Sequence, residues 1–135
     1  MSRAFNYNTL FSASGVDGYS LPLNVADFRH ILADIASASM GLGGTLTVRF
    51  QGSIGKEAPT FSSAASSTNR WSYVELIDTN TGETIQGDTG VTISGSDDLK
   101  KVELNVNGLD WICAQISGYN APGNVTVFVG AMANG

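Results

Sequence analysis

The clearest pattern of apolar and polar positions lies between Leu99 and Val129. Leu99-Lys100-Lys101-Val102-Glu103-Leu104-Asn105-Val106 alternates, Asn107-Gly108 interrupts it, and Leu109-Asp110-Trp111-Ile112-Cys113-Ala114-Gln115-Ile116 follows. Such alternation marks a half-buried strand, because successive side chains point to opposite faces. An Asn-Gly pair between two such runs predicts a hairpin, since a tight I′ turn needs positive φ at both central residues. In that hairpin Val106 faces Leu109, Leu104 faces Trp111 and Val102 faces Cys113, which makes one face apolar. The other face pairs Glu103 with Ile112, Lys101 with Ala114 and Leu99 with Ile116, and is half polar. A third run, Val125-Thr126-Val127-Phe128-Val129, completes a three-strand meander. Its apolar face requires a second layer, either a sheet or a helix.

Upstream, Thr45-Leu46-Thr47-Val48-Arg49-Phe50-Gln51 reads as a strand with Leu46, Val48 and Phe50 inward, and Trp71 to Ile77 as another. Asp78 to Glu83 is a hairpin loop that returns through Thr84 to Gln86, and Val91-Thr92-Ile93 is a short strand. Short strands with turn signals at this spacing predict an all-β fold, an antiparallel β-sandwich or a barrel. Leu21 to Met40 is ambiguous. Phe28, Ile31, Leu32 and Ile35 have helical spacing with Asn24 as an N-cap, whereas Ile31-Ala33-Ile35 alternates; periodicity alone favours a helix. Gly52 to Asn69 is a long Gly/Ser/Ala-rich loop around an isolated Phe61, of the kind used for function or contacts. The first nineteen residues scatter Phe5, Tyr7, Phe11 and Tyr19 among Asn and Ser. They read either as an edge strand over 4–11 or as an arm lying on a neighbour. The expected organisation is an N-terminal arm or edge strand at 1–19 and a single antiparallel β-sandwich domain at 20–135, jelly-roll-like, with at most one short helix.

Composition changes this picture in one respect. A chain of 135 residues makes one domain that buries about two-thirds of its unfolded surface. Only 14% of residues are charged, against about 25% in ordinary proteins. The surface must therefore be rich in Ser, Thr, Asn and Gly. That suits a protein packed against neighbours, and it also suits an ordinary β-rich domain. The net charge of −5 argues against nucleic acid as a partner, because phosphate contacts need a basic patch. The apolar run at Val125 to Ala133 is too short to span a bilayer, and the N-terminus carries no secretory pattern. No membrane partner and synthesis in the cytosol are the expectations. One cysteine, Cys113, and one histidine, His30, make neither an internal disulfide nor a zinc site.

Few residues offer chemistry. Asp88-Thr89-Gly90 matches the aspartic-protease signature, but no apolar strand leads into it and the tripeptide is good turn chemistry. Asp78-x-Asn80-x-Gly82 resembles the start of a calcium loop, yet Glu83 stands where that loop needs Gly and Thr89 where it needs Glu. His30 has no nucleophile elbow to accompany it. Cys113, on the apolar face opposite Val102, is expected to be an inert buried thiol. Trp111 is expected in the core. Trp71 and Tyr73 share one strand face and suit either a core or a stacking surface. No catalytic, cofactor-binding or metal-binding residue is assigned, and no enzymatic activity is expected.

Three stretches carry a resemblance: Gly44-Thr45-Leu46-Thr47-Val48-Arg49-Phe50-Gln51-Gly52-Ser53, then Lys101 through Tyr119, then Gly123-Asn124-Val125-Thr126-Val127. Together they resemble a β-sandwich domain common in structural proteins of tailed bacteriophages, over about Phe28 to Ala131. The resemblance implies that the segment at Phe28 to Ile35 is a strand. The chain departs from the pattern at Ile54-Gly55-Lys56 and in the late arrival of Trp71. As a free-standing domain of this size it is similar to a capsid decoration, or cement, protein. That likeness implies residence in the virion and contact with the major capsid protein or other virion proteins. Self-association as a dimer or trimer is the accompanying expectation, with Phe5, Tyr7, Phe11, Tyr19, Phe61, Trp71 and Tyr73 as candidate interface residues. The alternative is a tail or fibre-associated module that recognises host glycans through Trp71, Tyr73 or Tyr119.

Overall fold

A computed structural model describes residues 5–14, 17–41, 43–95, 99–120 and 123–132; side chains are described throughout these ranges except at 5–8, 11–14 and 131–132. Twelve strands make two antiparallel sheets with no helix among the described residues. They are β1 (Phe5–Ser14), β2 (Gly18–Tyr19), β3 (Leu23–Asn24), β4 (His30–Ala38), β5 (Thr45–Ser53), β6 (Ser72–Tyr73), β7 (Leu76–Asp78), β8 (Thr84–Ile85), β9 (Val91–Ser94), β10 (Leu99–Asn105), β11 (Trp111–Ser117) and β12 (Asn124–Met132). Sheet A runs β1-β12-β4-β10-β7-β8. Sheet B runs β2-β11-β5-β6, with β3 also on β11 and β9 on β5. The expected all-β sandwich is the observed architecture.

Period-two alternation explains which side chains enter the core. Sheet A contributes Ile31, Ala33 and Ile35 from β4, Val102 and Leu104 from β10, and Val125, Val127 and Val129 from β12, all buried. Sheet B answers with Leu46, Val48 and Phe50 from β5, Ile93 from β9, and Ile112, Ala114 and Ile116 from β11. One cluster joins the two inner faces. The segment at Phe28 to Ile35 is thus a strand from His30 onward. The helical spacing of Phe28, Ile31, Leu32 and Ile35 is incidental, and Leu32 is 56% exposed on the opposite face from Ile31.

The expected hairpin at Asn107-Gly108 is not formed. β10 pairs with β4 and β7 in sheet A, while β11 pairs with β2, β3 and β5 in sheet B. The three-strand meander is dissolved as well, because β12 lies in sheet A between β1 and β4. Gly108 has φ +87°, but Asn107 is not among the described non-glycine residues with positive φ. A turn with positive φ at one central residue lacks the I′ twist that folds two strands back on one another. Instead the chain arches across the end of the sandwich. Leu109 N–H donates to Val106 O at 2.9 Å, Val106 N–H to Arg29 O at 2.8 Å, and Asp110 N–H to Ser53 O at 3.0 Å. Val25 and Val106, fully buried, plug that end.

The arch reverses the expected facing of β11. Ile112, Ala114 and Ile116 point into the core, and Trp111, Cys113 and Gln115 lie on the outer side of sheet B. Cys113 sits opposite Gln51 rather than Val102. It is nevertheless buried, beneath the Ser20 segment. Trp111 is half-buried outside the inter-sheet core, and its Nε1–H donates to Gly55 O at 3.1 Å.

Candidate interaction surfaces

The outer faces of the two sheets differ in kind. That of sheet B is covered by the chain itself. The loop between β5 and β6 folds back on it instead of extending toward a neighbour. Phe61, 4% exposed, packs within the chain, and Gln51 Nε2 donates to Phe61 O at 2.8 Å. Ser53 Oγ donates to Arg70 O at 2.7 Å, and Gly55 N–H to Asp110 Oδ2 at 2.7 Å. Asn69 staples the loop internally: its Oδ1 accepts from Thr60 N–H at 2.8 Å, and its Nδ2 donates to Thr60 O at 2.9 Å and Ala64 O at 3.1 Å. A long loop without regular structure keeps one shape when its backbone groups are satisfied in this way.

Beside the loop lies a short row of polar aromatics. Trp71 and Tyr73 meet edge to face, 5.1 Å between ring centroids, and Trp71 Nε1–H donates to Ser63 O at 2.9 Å. Tyr73 Oη donates to Gln115 Oε1 and Gln115 Nε2 to Tyr19 Oη, both at 3.2 Å. Tyr19 is 41% exposed at the end of the row. The candidate interface residues therefore divide. Tyr19, Trp71 and Tyr73 form one exposed-to-half-buried patch. Phe61 is withdrawn from any surface, because its ring is spent inside the chain. The side chains of Phe5, Tyr7 and Phe11 lie outside the described ones. Tyr119, the third candidate glycan contact, is tied down elsewhere: its hydroxyl donates to Gly123 O at 2.6 Å and its ring packs on the core.

The outer face of sheet A is uncovered among the described residues. Register places Leu32 between Gly130 and Glu103, Glu103 beside Ile77, Phe128 beside Asp34, and Leu99 beside Ala36, all on one face. Leu32 is 56% exposed, Leu99 48%, Phe128 38% and Ile77 37%. One ion pair, Lys101 Nζ to Asp34 Oδ1, and one histidine–carboxylate contact, His30 Nδ1 to Glu103 Oε1, run through this apolar field, each 2.9 Å. Sequence reasoning treated Leu99, Lys101 and Glu103 as the half-polar face of a strand, which they are. It missed Leu32 and Ile77, because each adjoins inward residues in a run where only register tells the faces apart.

The chemical motifs resolve as turns. Thr89 N–H and Gly90 N–H both donate to Gln86 O at 3.1 Å, and Gly90 has φ +71°. Asp78 Oδ1 accepts from Asn80 N–H at 2.8 Å, closing the β7–β8 hairpin. Burial pushes the Cys113 thiol above its ordinary value, partly offset by hydrogen bonds with Ser20.

The fold and faces define the class: a two-sheet antiparallel sandwich with one self-capped face and one open face. No family profile and no curated protein matches the chain. Solved structures do. The SPBc2 prophage-derived protein YomS superposes with a TM-score of 0.68 at 11% identity, over 98% of this chain and 96% of that one. The PBSX exported protein XepA superposes with a TM-score of 0.69 at 13% identity, over 98% of this chain and 39% of that one. The chain thus spans about two-fifths of XepA and nearly the whole of YomS. At these identities the likeness is one of fold, and the fold is one that phage-derived proteins carry.

Proposed function

We propose that this chain is a non-enzymatic structural protein of a phage particle, a capsid decoration protein that stabilises the shell through protein–protein contacts. The observation that carries this reading is the open face of sheet A, where Leu32, Ile77, Leu99 and Phe128 stay exposed around the Lys101–Asp34 ion pair and the His30–Glu103 contact. Contiguous exposed apolar area on a small domain marks a contact surface, and a mixed apolar and charged face suits a neighbour already assembled into a shell. The fold shared with a prophage-derived protein of the same extent supports a phage setting. A protein that binds only the assembled shell stabilises it by mass action. Many copies let each contact be weak. The low charge content fits a surface that loses water on docking.

The glycan-recognising alternative finds less support. Trp71 has its indole N–H committed to Ser63 and stands edge to face with Tyr73, and Tyr119 is packed on the core.

The test is a heat challenge of purified particles lacking the protein, with wild type or the Leu32→Asp/Phe128→Asp double variant added back. Both side chains lie on the outer face of sheet A, and a far-ultraviolet circular dichroism spectrum matching wild type is the control that the variant folds. Wild type is expected to bind and raise the temperature of shell disruption, and the double variant to do neither. Equal protection by both would remove the open face of sheet A from the account.

A further inference from the structure

We infer that β1 is an interaction edge, and that its partner is β1 of a second copy of this chain, the two strands pairing antiparallel about a two-fold axis. This rests on the structural-protein reading, which it deepens by naming the self-contact.

The margins of the two sheets are unequal. Those formed by β2, β3, β6 and β8 are two residues long, and β9 is four. Strands that short offer almost no template for another chain. β1 is ten residues long, is bonded to β12 on one side only, and ends sheet A among the described residues. Its sequence, Phe-Asn-Tyr-Asn-Thr-Leu-Phe-Ser-Ala-Ser, has no charged residue and no proline. Both are usual means of blunting an exposed edge. The one protective feature present is a register shift between Thr9 and Phe11. An irregularity there bends the strand, so the straight free edge is Phe5 to Thr9.

Strand geometry then selects the occupant. In an antiparallel pair, facing residues either exchange both hydrogen bonds or neither. For two identical strands this forces one residue to lie opposite its own copy on the axis. An uncharged strand meets that condition without setting like charges face to face, although the chain as a whole carries −5. A five-residue segment paired this way closes roughly four to six backbone hydrogen bonds. Two six-stranded sheets A become one continuous sheet, and their open outer faces merge into a single broader surface for docking.

The experiment uses the full chain and three single variants, Asn6→Cys, Tyr7→Cys and Asn8→Cys, under mild oxidation beside sedimentation velocity over a range of concentrations. Cys113 is buried, so wild type serves as the uncrosslinked control. Facing Cα atoms in an antiparallel pair are about 4.5–5.5 Å apart, within disulfide reach. The expected result is a concentration-dependent dimer in which the variant on the axis crosslinks to most of the protein and the flanking two far less. A chain that stays monomeric at every concentration overturns the inference, while its binding to particles can still stand. A dimer that none of the three variants traps also overturns it, by placing the contact elsewhere. Dimers trapped at β1 that fail to bind particles would leave this inference intact and count against the decoration role.

Discussion

Asn69 does more for the covered face of sheet B than its place in a Ser-rich stretch suggests. One side chain accepts from Thr60 and donates to the carbonyls of Thr60 and Ala64, which fixes the path that brings Phe61 down onto the sheet. Asn69→Ala removes bonds that lie at the surface, where water takes over the freed groups, and is expected to cost about 1 kcal/mol. The loss should appear as a lower thermal midpoint and as faster proteolysis between Gly55 and Asn69. Cys113 gives a prediction with a defined sign. Folding raises its thiol pKa, so the folded state holds the proton more tightly than the unfolded chain. That contribution is fully present below the ordinary value of 9.0 and fades as pH rises through and beyond it. Denaturant midpoints of wild type and Cys113→Ala, followed from neutral pH to pH ~10, should converge at the alkaline end. A constant gap would show that the thiol titrates alike in both states. The burial of Cys113 was legible from the apolar run around it. Its side of the strand was not, because Ile112, Cys113 and Ala114 are all apolar and any register buries some of them.

Among elements, most strands were legible and their partners were not; the single strand expected over Trp71 to Ile77 splits into β6 in sheet B and β7 in sheet A. Alternation locates β5 and β10 within a residue or two and finds the body of β12, which runs three residues further, since each has one core face and one wetter face. Pairing depends on the turn, and Asn107-Gly108 has the residues of a hairpin turn without its backbone. Val25 and Val106 make the arch favourable by filling the end of the sandwich, a long-range packing effect that no local signal reports. β4 was misread by periodicity alone because Leu32 is apolar yet exposed; a residue serving a surface breaks the binary pattern that makes strands readable. A disulfide trap separates the arch from the hairpin. Ile77 and Glu103 face each other across β7 and β10, so Ile77→Cys/Glu103→Cys should oxidise readily and retain the wild-type fold. Glu103→Cys/Ile112→Cys, opposed only in a hairpin, should remain reduced. The reverse outcome would restore the hairpin and invert the facing of β11.

At the scale of the molecule, a low charge content accompanies one face capped by the chain's own loop and one face left open among the described residues. The fold class could be read from strand spacing and turn chemistry, and the superposition on YomS and XepA agrees with it. The interaction surface could not be read so directly. Of the aromatics that drew notice in sequence, Phe61 is buried beneath its loop and Trp71 is tied to Ser63 and Tyr73, whereas the open face carries Leu32, Ile77, Leu99 and Phe128, apolar residues that look like core. The most direct measurement of the proposed decoration role is quantitative mass spectrometry of heads and tails separated from phage particles purified from the cells that carry the chain's gene. The account predicts the protein in the head fraction, at a fixed ratio to the major capsid subunit that survives repeated purification. Recovery in the tail fraction alone, or its absence from both, would contradict it.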